Sequence, residues 1–151
     1  MDAAVVRELG KSPQCEQFQE PVAGDNEVIV HVHAASLKPV DRQLASGSHY
    51  ASPREVPFIC GTDGVAHLDD GRRVFFGGCR PPYGAMAQRT VVPKAFVFHV
   101  PAGVSDGLAA ALPNPGGRDR DRQRRVKTPR PSEWRLLEWG AGWVVGQEPR
   151  S

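Results

Sequence analysis

From Val28 to Ala34 the chain alternates, with Val28, Val30, Val32 and Ala34 on one side and Ile29, His31 and His33 on the other. A period of two marks a strand with one buried face. Shorter apolar runs at Ala3 to Glu8, Gly61 to Leu68, Arg73 to Phe76, Ala85 to Val92 and Phe96 to Val100 predict further strands. Gly10, Pro13, Asp69-Asp70-Gly71 and Pro93 separate them, each a residue type that turns or breaks a strand. Helical signals are sparse. Pro39 to Leu44 suits little more than one turn, stopped by Gly47, and Ser105 caps a start that runs Ala-rich to Leu112. Short strands with turns between them predict a mainly β fold, a compact barrel or sandwich with short helices.

Charge divides the chain. Residues 1–116 hold ten Lys and Arg against twelve Asp and Glu, while residues 117–151 hold nine against five. All three Trp lie in the second segment; all five His, all three Cys and every Phe and Tyr lie in the first. Two domains of unlike composition are therefore expected, 1–116 globular and 117–151 a basic tail. The net charge of +2 is their sum and no evidence for a nucleic-acid partner. No apolar run approaches the roughly 18–20 residues of a membrane span. With an acid at Asp2 and no leader-like apolar stretch, a cytoplasmic location is expected. Cys15, Cys60 and Cys79 lack the paired spacing of a zinc ribbon or redox motif. His31 and His33 share one strand face; two such imidazoles can bind a metal, but no third ligand is evident, and a solvated face is the reading preferred here.

Five segments, in order, carry a resemblance. Ala34-Ala35-Ser36-Leu37-Lys38-Pro39-Val40-Asp41 is similar to A-x-x-x-N-P-x-D, and Pro57-Phe58-Ile59-Cys60-Gly61-Thr62-Asp63-Gly64 to P-x-x-x-G-x-D. Gly71-Arg72-Arg73-Val74 is similar to a G-D-R-V turn, with Asp70 before the glycine instead of after it. Tyr83-Gly84-Ala85-Met86-Ala87-Gln88 is similar to G-x-Y-A-E, and Val100-Pro101 through Ser105 with Ala109 to Ala111 to the linker that follows. Residues 1–116 thus resemble the N-terminal domain of the zinc-independent quinone oxidoreductase branch of the medium-chain dehydrogenase/reductases. The resemblance implies a GroES-like, partly open β-barrel.

It also implies a chemistry: hydride transfer from NADPH to a quinone or enone, the protein orienting the acceptor and supporting the oxyanion that develops. Tyr50 and Lys38 are the candidate catalytic residues, and Lys38, Pro39 and Asp41 would face the cofactor cleft. Lys38 stands where the branch has Asn, and His49 where it often has Tyr. Zinc-dependent relatives use a Cys and a Gly-His-Glu where this chain has Lys38-Pro39-Val40-Asp41 and Gly61-Thr62-Asp63, so no zinc is expected. Gly61 and Gly64 serve close backbone approach in a tightly curved barrel.

Past Gly116 the resemblance ends, and 35 residues do not make the two βαβ halves of a Rossmann domain. Gly140-Ala141-Gly142-Trp143-Val144-Val145-Gly146 reads G-x-G-x-x-x-G, one residue longer than a dinucleotide fingerprint. Five Arg between Arg118 and Arg125 alternate with Asp119 and Asp121 and have no core formers around them, so an irregular, disordered tail is expected. An abrupt swap to Arg, Gly, Pro and Trp is what an out-of-frame read of GC-rich DNA produces, so a frameshifted or truncated enzyme, inactive alone, is the leading expectation. The alternative is a non-catalytic GroES-like binding module whose basic tail contacts protein or nucleic acid. In either case the surface that faced the missing domain would be apolar and exposed, favouring self-association.

Overall fold

The computed structural model describes residues 1–111 and, for the backbone alone, the strand at 143–146. The proposed boundary at Gly116 and the arginine-rich run lie outside the described residues. The elements follow the order β1 (Asp2–Val6), β2 (Gln14–Gln17), β3 (Glu27–Leu37), α1 (Pro39–Ser46), β4 (Phe58–Ile59), β5 (Asp63–His67), β6 (Arg73–Gly77), β7 (Arg89–Pro93), β8 (Val97–His99), α2 (Asp106–Ala111) and β9 (Trp143–Gly146). One sheet has the order β2-β1-β4; the other has β7-β3-β5-β6-β8, with β9 also on β3. Together they form the mainly β, curled barrel that the sequence predicts. The two sheets are joined through Gln88, whose amide donates to Asp2 O in β1 (3.0 Å) and whose carbonyl accepts the Val32 amide of β3 (3.0 Å).

The eleven residues of β3 organise the larger sheet. Its first half pairs with β7 from Glu27↔Pro93 to His31↔Arg89, and its middle pairs with β5. The alternation predicts Val28, Val30, Val32 and Ala34 on one face. Val30 and Val32 do enter the main core, with Phe76, Val74 and Val92, and Val28 packs against it. A bulge intervenes, since Val32 faces Ala66 but Ala34 faces Val65, leaving His33 as the extra residue. An inserted residue flips the side chains that follow it. Ala34 accordingly joins a second cluster with Val65, Val100, Ala109 and Ala110, beneath α2, and Ala35 takes its place in the main core.

Three further differences from the predicted elements appear. Ala85 to Val92 is predicted as one strand, but only Arg89–Pro93 is; Ala87 makes a lone bridge to Ala3. β2, an exposed edge strand of polar residues, has no periodicity to find. Trp143–Gly146, predicted as part of an irregular tail, instead runs antiparallel to β3 from Ala34↔Gly146 to Leu37↔Trp143. That pairing occupies backbone groups at the end of β3 that would otherwise form an open sheet edge.

Glycines mark the close approaches. Gly61 has φ +94°, and a Cβ on Gly64 would strike the Ala34 carbonyl and the Phe76 ring. A Cβ on Gly84 would lie closer to the Ile59 and Cys60 carbonyls than real Cβ atoms come. Gly84→Ala is therefore expected to destabilise by about 1–3 kcal/mol through overpacking. Gly107→Ala, with open space around it in α2, should be neutral or stabilise by roughly 0.5 kcal/mol. Urea midpoints of the two variants read the difference; equal effects would contradict the packing described.

Candidate functional site

The turn from β3 into α1 places most of the predicted site residues. Lys38 is the N-cap, extended at φ −101° and ψ 161°, and Pro39 opens the helix where a missing amide costs nothing. Asp41, in the first turn, turns back so that its Oδ2 accepts the Lys38 amide at 2.6 Å. The Asp41 carboxylate is thus committed to the helix terminus, as in a capping box. Gly47, left-handed at φ 76°, ends α1 as its position predicts.

The Lys38 ammonium reaches across to β5 and binds both oxygens of Asp63, one at 2.5 Å. Side-chain exposures of 12% and 17% make this a largely buried ion pair. The pairing of Asp63 with Lys38 is not visible in the sequence because 25 residues separate them. Burial pushes the Asp63 carboxyl upward, opposed by the hydrogen bond and charge of Lys38. Asp41, 2% exposed, is likewise raised by burial, with hydrogen bonding from Lys38 and Thr62 pulling the other way. Its Oδ1 is a buried acceptor without a partner among the described residues.

Asp41 also lines a cavity of about 260 Å³ with Leu44, Phe58, Cys60, Thr62 and Tyr83. Thr62 adds a hydroxyl to the lining, while Tyr83 donates its own to the Glu20 carbonyl at 3.1 Å. Burial drives the Cys60 thiol to about 11 and Cys79 to about 12, so neither is a thiolate at neutral pH. Tyr50 is not in the cavity lining; it is 96% exposed, its ring 4.3 Å from that of His49. Pro39 faces a separate surface depression with Lys11, Pro13 and Arg42. The structure therefore brings Lys38 and Asp41 together with Asp63 and Thr62, and leaves Tyr50 outside that group. Val22, Val56, Phe96 and Phe98 are exposed apolar side chains.

On the opposite side of the bulge, His33 and His67 stack edge to face with ring centroids 4.2 Å apart. Burial and the neighbouring His67 hold the His33 imidazole below its ordinary value. Among the described residues no group of three His, Cys, Asp or Glu is arranged around one metal position. No described helix is long and apolar enough to cross a membrane.

No protein-family model and no curated protein matches this chain. Solved structures do. The chain is 33% identical to the quinone oxidoreductase from Thermus thermophilus, determined also in complex with NADPH, with a TM-score of 0.67 over 75% of this chain and 36% of that one. For the quinone oxidoreductase from Coxiella burnetii the values are 23%, 0.69, 77% and 42%. The human synaptic vesicle membrane protein VAT-1 homolog-like protein matches at 25% identity and a TM-score of 0.66, over 75% of this chain and 38% of that one. The chain thus spans well under half the length of each of these proteins.

The pH dependence of stability tests the burial of Asp41. A raised native value means that the folded state keeps its proton to higher pH than the unfolded chain does. Stability then falls as pH rises from the ordinary carboxylate range through the native value. Asp41→Asn keeps an oxygen for the Lys38 amide and removes the charge. Urea midpoints from mildly acidic to neutral pH should show a flatter profile for Asp41→Asn and higher stability at neutral pH; an unchanged slope would count against a buried carboxylate there.

Proposed function

We propose that this chain, whose described residues carry the GroES-like N-terminal domain of the quinone oxidoreductases, supplies the acceptor-side wall of a cleft in which a quinone or enone is reduced with NADPH. The observation that carries this reading is the Lys38–Asp63 pair beside Asp41, at the residues that resemble the branch's cofactor-facing segment. When bound, NADPH supplies the hydride. The Lys38 ammonium, oriented by Asp63, would favour the acceptor oxygen as it becomes anionic. Low solvent exposure strengthens that charge relative to one in water. Tyr50, fully exposed, is a proton donor only if the acceptor or another segment covers it. The chemistry assigned to these side chains uses no zinc.

The described residues do not fit the cofactor's phosphates. Phosphates favour a helix start with free amides and positive potential. α1 begins with the Asp41 carboxylate already on its first amide, and the six-residue α2 begins with Asp106. The glycine-rich run that mimics a dinucleotide loop ends in β9, paired with β3. We propose that nucleotide binding belongs to a domain other than this barrel, with the boundary near Gly116 as the sequence suggests.

A chimera tests the acceptor-wall reading. Residues 1–111 would replace the equivalent barrel of the Thermus thermophilus enzyme, and NADPH oxidation by a quinone would be followed. Turnover is expected, with Lys38→Ala lowering kcat by roughly 10²-fold through loss of oxyanion stabilisation and Tyr50→Phe changing it less. A folded chimera without turnover, or one indifferent to Lys38, would contradict the proposal.

A further inference from the structure

An open sheet edge pairs with whatever extended backbone meets it, and proteins blunt their edges with charge, proline or short strands. The edges among the described residues differ in this respect. β2 carries Glu16 and follows Pro13, and β7 starts at Arg89 and ends at Pro93. β4 is two residues long, with the Ile59 amide donating to Pro82 O at 2.8 Å, and β8 is three residues ending at His99. β9 has no such protection. Its inner edge is taken by β3, from Ala34↔Gly146 to Leu37↔Trp143. Because β5 holds Ala34 and Ala35 from the other side, β9 lies on the β7 side of β3. No described strand pairs with its outer edge. Its four residues, Trp143-Val144-Val145-Gly146, include neither a charge nor a proline.

We propose that β9 is an interface between two copies of this chain, which pair edge to edge and antiparallel about a two-fold axis, joining their larger sheets into one. A two-fold axis perpendicular to the sheet sets one residue of the strand opposite its own copy. With the axis at Val144, Val144 meets Val144 and Trp143 of each copy is opposite Val145 of the other. Aromatic and β-branched residues opposite each other are favourable cross-strand pairs. The same symmetry sets a strand's charges against themselves. An edge bearing Glu16 or Arg89 therefore repels its copy, and β9 does not. The absence of charge also selects the second copy over an acidic or basic partner, since main-chain donors and acceptors supply the attraction. A four-residue strand is far short of the roughly 20–30 residues a side of a standard interface, so the dimer is weak and forms as concentration rises.

Sedimentation velocity of the full 151-residue chain, kept reduced because Cys15 is an exposed thiol, should show a dimer fraction that rises with protein concentration. Val144→Lys and Val144→Glu should each abolish the dimer, since like charges then stand directly opposite across the axis. Mixing the two variants in equal amounts should restore it as a heterodimer that weakens with added salt. Restoration separates the interface from a mere loosening of β9 on β3, which mixing does not repair. Urea transitions of both variants check that the barrel remains folded. Phe98→Ser, at a half-exposed side chain on the β8 edge, should leave the dimer unchanged. A chain that stays monomeric at every concentration, a dimer indifferent to Val144→Lys, a mixture that does not reassociate, or a dimer lost with Phe98→Ser would overturn the proposal.

Discussion

The barrel depends on a single long strand satisfying partners on both edges and both faces. β3 receives β7 and β9 along one edge and β5 along the other, while its faces must fill two separate cores. A regular strand could not do this with the residues it has. The bulge at His33 resolves the conflict by moving Ala34 under α2 and returning Ala35 to the main core. The same inserted residue turns His33 outward beside His67, so packing and the histidine pair have one cause.

The end of β3 imposes the second constraint. Where the strand stops, Pro39 forces a helix start, and the amides of that start need an acceptor. Asp41 provides it and is buried in doing so. A second carboxylate, Asp63, is buried close by, and two such charges require a cation. Lys38 supplies it from the N-cap position. This chain therefore has a charged cluster whose parts are mutually dependent. Removing either partner leaves an uncompensated charge in a poorly hydrated place.

Much of this was legible in local sequence. The alternation of β3, the glycine stop of α1 and the Ser105 cap of α2, whose Oγ accepts the Leu108 amide at 3.3 Å, are short-range signals and appear where expected. Lys38, Pro39 and Asp41 could be placed at one turn for the same reason. What was hidden is non-local. Nothing in the sequence announces that Asp63 would meet Lys38, that His67 would join His33, or that Trp143–Gly146 would pair with β3. Tyr50 was selected by its place in a motif, and its exposure follows from the loop after α1, which periodicity does not resolve.

The central claim is a division of labour: an acceptor-side barrel is present, and nucleotide binding belongs elsewhere. Fluorescence titration of the 151-residue chain with NADPH addresses it most directly. The account predicts no saturable binding at micromolar cofactor, with the protein shown to be folded by its unfolding transition. Saturable micromolar binding by the same folded chain would contradict it.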